Sequence, residues 1–332
     1  MTITTWLGVD VAKQKFDVAV VWDGRKRAKV FRNDSNGWRE LLEWLHGLGF
    51  DRIHACLEAT GRYGEGLAIA LHRAGHRVSL INPARIKHFA RTKLGRNKTD
   101  RLDAFLIAEY GRLFAPAAWV PPSEALCRLR DLVRTREALQ HSLKEWRNRL
   151  GSGAHASAAA TAMASVIERL EEELRAVQSA IVATMASDET LCRQRDLLVS
   201  IPGIGITAAA SILSELPGPD VLKSARQAAA YAGLNPSQHR SGSSIDRPAR
   251  ISRIGNAALR AALYFPAMAA MRFNPSIAAL RERLTAQKRL KPMQILAAAM
   301  RKLLHLCYGV LKTGRSFDPD HRLSRAARLR PA

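Results

Sequence analysis

The order of strand-like and helix-like segments in the first 115 residues constrains the fold of this chain more than any other feature. Three apolar, strand-like segments come first, and the Asp23-Gly24 pair predicts a tight turn between the second and third. A helix capped by Ser35 follows, and strand, helix, strand and helix then alternate. This order predicts a layered α/β domain. The strands are predicted at residues 3–9, 16–22, 28–32, 52–57 and 77–81, and the second helix at 63–74.

Four acidic residues stand out in this part of the chain. Asp10 and Glu58 each end an apolar run, and Asp100 and Asp103 are three residues apart, which places them on one helical face. Converging carboxylates repel one another unless a cation neutralises them, and oxygen ligands of this kind suit Mg²⁺. By analogy, the element order is that of a ribonuclease-H-like domain, which carries metal ligands on its first and fourth strands. We therefore expect one or two Mg²⁺ ions at these residues.

Each of these acidic residues also has a simpler interpretation. Asp10 can cap a turn after its strand, Glu58 can be a surface carboxylate, and Asp100 can cap the helix that Asp103 continues. These alternatives stay open from the residues alone.

The net charge of +23 indicates a polyanionic partner. The charge is uneven, because residues 221–332 hold 21 Lys/Arg and only 4 Asp/Glu. A solvated basic surface that only aids solubility is the alternative, but solubility does not require this asymmetry.

The cysteines and the apolar segments favour a reduced, cytoplasmic setting. The four cysteines are far apart and have neither zinc-site nor disulfide-framework spacing. The longest uncharged stretch, residues 197–214, is interrupted by Pro202, Gly203 and Gly205, which argues against a membrane span.

Prolines at 116, 121 and 122 mark a boundary, after which the sequence predicts two long helices. The second helix carries apolar residues at heptad spacing between Ile167 and Ile181, which indicates a coiled-coil seam. The seam serves either oligomerisation or a helical hairpin within one chain. Gly151-Ser152-Gly153 and an Ala/Ser-rich segment up to Ala164 are interpreted as a hinge or turn between antiparallel helices, or as a mobile excursion.

The last third combines a glycine-rich turn with a basic loop. Residues 201–207 resemble a helix–hairpin–helix turn, although a plain tight turn between packed helices fits nearly as well. Residues 231–253 have the composition of a loop, and helices are predicted at 256–271 and 293–311. The resulting domains are 1–115, 116–195 and 196–317, with a basic, disordered tail at 318–332.

Several motifs together resemble the DEDD transposases of the insertion-sequence-110 family, including its 1111 branch. The N-terminal motifs are Gly8-Val9-Asp10-Val11-Ala12-Lys13, Glu58-Ala59-Thr60-Gly61 and Lys98-Thr99-Asp100-Arg101-Leu102-Asp103-Ala104, and the C-terminal ones lie at residues 233–242, 251–256 and 311–319. The chain departs from many relatives in having Arg240 where they have a second serine. It also has Arg253 near Gly255, where they have a lysine before that glycine.

The resemblance implies a RuvC-like N-terminal domain, a coiled-coil linker and a mainly helical C-terminal transposase domain. It implies a DNA recombinase with a serine nucleophile, and Ser241 is the residue that matches. It also implies donor and target DNA, a structured non-coding bridge RNA, and a homo-oligomer, either dimer or tetramer, with a site shared between protomers. The expected nucleic-acid contacts are Lys13, Arg240, Arg247, Arg250 and Arg253.

The mechanism that these residues suggest is metal-assisted strand transfer. Ser241 attacks a phosphate and forms a phosphoserine link to DNA, while Asp10, Glu58, Asp100 and Asp103 hold Mg²⁺. From composition alone Ser237, Ser243 and Ser244 are equally plausible nucleophiles. Two other functions remain: a hydrolytic nuclease or junction resolvase in which water replaces serine, and a non-catalytic architectural protein that binds nucleic acid.

Overall fold

A computed structural model describes residues 5–58, 62–92, 100–153, 156–241, 245–252, 254–287 and 290–320, with side chains for all of these except 100, 101, 237–241 and 245–250. The chain divides into two compact units, Met1–Pro122 and Ser123–Ala332. Within the described residues, no helix is both long enough and apolar enough to cross a membrane.

The N-terminal unit contains a five-stranded mixed sheet with the strand order β3-β2-β1-β4-β5. β1 pairs antiparallel with β2 and parallel with β4, so the early hairpin and the later strand–helix repeat meet at β1. The predicted turn is confirmed, because Asp23 and Gly24 both adopt positive φ (41° and 76°). The strands are β1 (Trp6–Val11), β2 (Lys15–Trp22), β3 (Arg25–Arg32), β4 (His54–Glu58) and β5 (Arg77–Ile81).

In the described part of this unit, four helices cover the two faces of the sheet. One face, with Leu7, Val9 and Leu57, shares a buried core with α1 and α2, and the other, with Trp6 and Cys56, shares a core with α3 and α4. Fully burying one large apolar side chain contributes about 1.5–3 kcal/mol, so both layers hold the sheet. The helices are α1 (Ser35–Gly47), α2 (Glu65–Arg73), α3 (Pro83–Thr92) and α4 (Asp100–Phe114), with a short 3₁₀ turn at Arg62–Gly64.

The start of α1 differs from the prediction. Asp34, not Ser35, caps this helix, because Asp34 has an extended backbone and its Oδ1 accepts a hydrogen bond of 2.9 Å from the Gly37 amide. A carboxylate at the cap also suits the positive end of the helix dipole.

The C-terminal unit is mainly helical and has one extended apolar core. Its elements are α5 (Glu124–Leu150), α6 (Ser157–Ser187), α7 (Glu189–Val199), α8 (Ile206–Glu215), α9 (Ala225–Tyr231), β6 (Pro236–Ser241), β7 (Ile245–Ile251), α10 (Ala257–Ala262), α11 (Tyr264–Phe273), α12 (Pro275–Ala286) and α13 (Pro292–Thr313). Residues 201–205 form a tight turn between α7 and α8, where Gly203 (φ 104°) lies against Ala270.

The two long helices α5 and α6 pack along one another within the chain. Ile181 is buried in the same core as Leu129 and Val133, and Arg147 donates a 2.6 Å hydrogen bond to Glu171. The interpretation of the Ala/Ser-rich segment as a hinge was wrong from residue 157 onward, where α6 begins. Alanine has the highest intrinsic helix propensity, which favours helix here.

Residues 231–253 are not a loop throughout, because β6 and β7 pair as an antiparallel hairpin. Pro248 fits in β7 because each strand of a two-stranded sheet has an unpaired edge. The predicted helix 256–271 breaks at Leu263 between α10 and α11. Pro266 lacks the amide that would continue the helical hydrogen bonds back to Ala262. The basic tail lies outside the described residues beyond Asp320.

Candidate active site

Asp10 and Glu58 lie side by side near the ends of two central strands. β1 and β4 are parallel, and their register pairs Gly8 with Cys56 and Val9 with Leu57. Each carboxylate follows that last pair by one residue, so both side chains leave the same face of the sheet. Both residues are half-buried. The register therefore brings together two carboxylates that are 48 positions apart in sequence.

Helix α4 covers this face and is fixed there by Gly8. A Cβ atom at Gly8 would lie 2.0 Å from the carbonyl oxygen of Ala104, so only glycine permits this approach. Gly111, near the other end of α4, also packs closely, because a Cβ atom there would lie 2.6 Å from Sγ of Cys56 and 2.8 Å from the Trp6 ring. The helix therefore runs antiparallel to β1.

This direction carries the first turn of α4 toward Asp10. From Ala104 back to Asp100 the helix rises about 6 Å, and from Gly8 to Asp10 the strand advances about 7 Å. Asp103 is half-buried in that turn. The side chain of Asp100 lies outside the described set, but its backbone begins α4 as the three-residue spacing predicts.

The donor chemistry of this face suits a hard divalent cation, because the carboxylates offer only oxygen atoms. Among the described side chains, no three or more His, Cys, Asp or Glu residues stand close enough together to hold a metal ion, and Asp100 is not among those side chains. The fit to a metal therefore rests on donor type, strand register and the direction of α4.

A fifth carboxylate, Asp17, lies on this face and was not predicted from the sequence. This residue lies directly opposite Asp10 in the antiparallel β1–β2 pair, so the two side chains share a face. Asp17 is 7% exposed, and its Oδ2 lies 3.3 Å from Nζ of Lys15. The short segment Ala12-Lys13-Gln14 between two apolar runs was the sequence signal that could have revealed this pairing. In the structure, the Ala12 amide closes this turn with a 2.9 Å hydrogen bond to the Lys15 carbonyl.

β4 carries two other titratable residues on the same face, Cys56 and His54, two and four residues before Glu58. Burial raises the pKa of the Cys56 thiol to about 12, with Arg77 opposing the shift, so the thiol stays protonated. Burial and then Arg77 lower the pKa of His54 to about 4, so its ring is neutral at pH 7. Neither residue provides a reactive thiolate or a positive charge beside the carboxylates.

The residue matched to the nucleophile, Ser241, ends β6 in the C-terminal unit. Its backbone pairs with Ile245, so it lies at the far end of the hairpin from the base, where Pro236 pairs with Ile251. The side chains of Ser241, Arg240, Arg247 and Arg250 lie outside the described set, as do all of Arg253 and residues 242–244.

The base of the hairpin is fixed by backbone hydrogen bonds. The Ser252 amide donates to the Asn235 carbonyl at 2.9 Å, and the Asn256 amide donates to the Tyr231 carbonyl at 2.6 Å. Gly255 has φ 148°, and a Cβ atom there would lie 2.3 Å from the Tyr231 oxygen. The chain entering and leaving the hairpin is therefore tied to the end of α9.

A polar network centred on the buried Glu215 extends from this base to α5 and α8. Nδ2 of Asn256 donates to Oε2 of Glu215 at 2.8 Å, while Oδ1 of Asn256 caps α10. Arg134 donates from Nε and Nη2 to Oε1 of Glu215, both at 3.1 Å, and the Glu215 side chain is 7% exposed. Sequence patterns gave no signal for this network.

Lys13, the remaining predicted contact, is exposed in the turn between β1 and β2, three residues after Asp10. Its position is compatible with a ligand on the carboxylate face.

Comparisons with known proteins match both units. A family model described as "Transposase", for DEDD proteins of the IS110 type, matches residues 7–153, and one described as "Transposase IS116/IS110/IS902 family" matches residues 195–282. A "Pilin gene-inverting protein" of Moraxella bovis is 32% identical over 317 residues, which covers 95% of this chain and 98% of that protein.

A second relative, "Transposase for insertion sequence element IS1111A" of Coxiella burnetii, is 27% identical and covers 80% of this chain and 78% of its own length. Among solved structures, a chain of "T. thermophilus RuvC in complex with Holliday junction substrate" matches 35% of this chain and 99% of its own, at 15% identity and a TM-score of 0.28.

Proposed function

Because the chain belongs to the IS110 family of transposases, enzymes that recombine DNA, we propose that it cuts and rejoins DNA through a covalent phosphoserine intermediate. Ser241 is the nucleophile, and Asp10, Glu58, Asp100 and Asp103 hold one or two Mg²⁺ ions. The observation that carries this proposal is the convergence of Asp10, Glu58 and the first turn of α4 on one face of the sheet.

The bonds balance without an energy donor. As the bond from Ser241 Oγ to phosphorus forms, Oγ gives up its proton to solvent and the bond from phosphorus to one strand oxygen breaks. That strand takes up a proton and leaves as a hydroxyl. A hydroxyl of another strand then attacks the phosphoserine and releases Ser241. The number of phosphodiester bonds is unchanged, so no ATP is consumed.

The roles of the chain's own residues follow from their chemistry. The carboxylates orient and neutralise the divalent ions, which when bound lower the pKa of the attacking oxygen and stabilise the leaving oxygen. Arg240, Arg247, Arg250 and Arg253 neutralise phosphate charge at the hairpin, and Lys13 does so beside the carboxylates. The positive charges of these five side chains suit phosphate binding whichever DNA strand is bound.

The partners in this proposal are donor and target DNA and a structured bridge RNA. A net charge of +23 suits several polyanions at once. Aromatic residues make up only 6% of the chain, so backbone contacts and RNA shape carry the recognition more than base stacking. The carboxylates and the serine lie in separate units, and we propose a homo-oligomer, dimeric or tetrameric, whose protomers share each site.

One relative favours strand exchange over simple hydrolysis. The Moraxella bovis protein is named for inverting a gene, and inversion requires that every cut end be rejoined. A covalent intermediate conserves the bond needed for rejoining, whereas hydrolysis releases it.

The test is covalent trapping of DNA on the protein. Incubated with labelled DNA carrying the element junction, bridge RNA and Mg²⁺, the wild-type protein gives a labelled band of protein size on a denaturing gel. Ser241→Ala removes this band, and Ser237→Ala, a serine of the same strand, keeps it. An adduct in Ser241→Ala would refute the nucleophile, and free DNA ends without any adduct in the wild type would favour the hydrolytic nuclease.

A further inference from the structure

We propose that the face of β3 on the α4 side of the sheet binds the phosphate backbone of DNA and leads it to the carboxylate site. This surface, the β3 track, consists of Lys26, Ala28, Val30 and Arg32, and Lys15 of β2 borders it. The proposal rests on the proposed function only in naming DNA as the ligand. The track binds DNA whether or not Ser241 is the nucleophile.

β3 is an edge strand with an unusual concentration of positive charge. Five of its eight residues are lysine or arginine, none is acidic, and all five are exposed. At physiological salt, dissolved ions screen the attraction between an exposed basic side chain and a phosphate beyond about 8 Å. A ligand must therefore lie on the strand itself to benefit.

The strand register places two of these residues on the carboxylate face. Arg32 lies opposite Lys15, and Val30 lies opposite Asp17, which in turn lies opposite Asp10. Directly opposed side chains share a face, and alternate residues of β3 do so too, which adds Lys26 and Ala28. From β1 to β3 is two strand spacings, about 10 Å, so the track begins close to Asp10.

The shape of the track suits an extended ligand. Ala28 and Val30 are low side chains between the two basic residues, and Val30 is 51% exposed. Lys26 and Arg32 are six residues apart, about 20 Å along the strand. That span equals the axial rise of about six base pairs of a duplex at 3.4 Å each.

The opposite face of β3 differs and provides a control within the same strand. There Nζ of Lys29 lies 5.0 Å from the centre of the Phe31 ring, and Phe31 is buried in the core that includes α1. Arg27 and Lys29 are exposed and basic like Lys26 and Arg32, but they face away from Asp10 and Asp17.

Basic residues on an edge strand also prevent edge-to-edge pairing of sheets. For that role the two faces are equivalent, because charge on either one deters a second strand. A difference between the faces in DNA binding therefore separates the two explanations.

The experiment compares the full-length double variants K26Q/R32Q and R27Q/K29Q. Binding of a fluorescent, mixed-sequence DNA duplex is measured by anisotropy over a series of salt concentrations. K26Q/R32Q binds about tenfold more weakly at moderate salt, and the slope of log K against log salt falls in magnitude by about 2. R27Q/K29Q stays within about twofold of the wild type.

Three results would overturn the proposal: equal weakening in both variants, unchanged DNA binding in K26Q/R32Q, and a loss confined to an RNA hairpin probe. Size-exclusion chromatography checks that neither variant aggregates; aggregation of K26Q/R32Q with unchanged affinity in its monomeric fraction assigns the charges to edge protection instead. At saturating DNA, K26Q/R32Q still forms the Ser241 adduct, so failure of the track and failure of the nucleophile are distinguishable.

Discussion

Asp10 and Glu58 lie on central strands that helices cover on both faces, whereas Ser241 ends a two-stranded hairpin whose described tertiary hydrogen bonds lie at its base. In the first region, strand register and the close packing of α4 fix where the two carboxylates leave the sheet, as the proposed metal site requires. In the second, the nucleophile is at the far end of a short sheet, and two-stranded sheets are marginally stable alone. The proposed metal site and the proposed nucleophile therefore differ in how firmly the surrounding residues hold them.

The largest effect on strand transfer is expected from removing a carboxylate charge in the N-terminal unit. Asp10→Asn and Glu58→Gln each reduce strand transfer by about 10³-fold, because losing a metal-ligand charge costs several kcal/mol in the transition state. Asp23→Asn, a similar change in the exposed β2–β3 turn, retains activity. Strand-transfer assays with each purified variant provide the measurement, and activity within tenfold of wild type in both site variants would break the assignment.

The next largest effect is expected from disturbing the close packing of α4 against β1. Gly8→Ala forces a Cβ atom to within 2.0 Å of the Ala104 carbonyl, so α4 must move away from β1. We expect a loss of about 3 kcal/mol in unfolding free energy together with loss of strand transfer.

Gly47→Ala is the matched control for this packing prediction. Its added Cβ atom meets nothing within 4 Å, so its stability stays near that of wild type. Calorimetric unfolding compares the variants, and equal stabilities for Gly8→Ala and wild type would show that the close approach of α4 is not required.

The N-terminal unit also has a specific sensitivity to acid. His54 has a folded pKa of about 4 and an unfolded pKa near 6.5, so between these values the unfolded chain binds one more proton. Stability therefore falls as the pH drops from about 6.5 to about 4, by up to about 1.4 kcal/mol per pH unit, and the effect is complete below that range.

His54→Gln tests this dependence. The Nε2 atom of His54 and Oγ of Ser79 are 2.7 Å apart, and Ser79 in turn donates to the Ala117 carbonyl at 2.8 Å. Because the Ser79 hydroxyl donates to the carbonyl, the His54 ring donates to Ser79. The side-chain amide of glutamine can replace the ring as that donor without titrating. Urea unfolding between pH 4 and 7 should show a shallower pH dependence for the variant, and identical slopes would contradict the assignment to His54.

The smallest effect is expected at the base of the hairpin. Glu215→Gln removes the charge that Arg134 and Asn256 share, and weakening charge-assisted bonds of this kind costs about 1 kcal/mol. Amide hydrogen exchange in β6 and β7 should quicken about fivefold, with a modest drop in adduct formation. Glu282→Gln, which changes an exposed glutamate on α12, serves as the control. Equal exchange rates in both variants would show that the Glu215 network does not stabilise the hairpin.

Local patterns in the sequence predicted much of the N-terminal unit. The Asp23-Gly24 turn, β5 and the helix that carries Asp100 and Asp103 were confirmed because turn residues and apolar periodicity act over a few positions. The prediction failed where such signals were weak. The β6–β7 hairpin is polar and contains Pro248, so its sequence resembles a loop, and only pairing between its strands makes it extended.

The sequence by itself determined the residue types, the order of elements and the positive charge, and it specified the family. Only the tertiary structure decided which distant residues become neighbours: Asp10 with Glu58 and Asp17, α4 with Gly8, and Glu215 with Asn256. It also placed the β3 track on the same face of the sheet as the carboxylates. Propensity and turn chemistry depend on neighbours along the chain. Strand register and helix docking depend instead on the burial of distant residues against one another, which no local pattern contains.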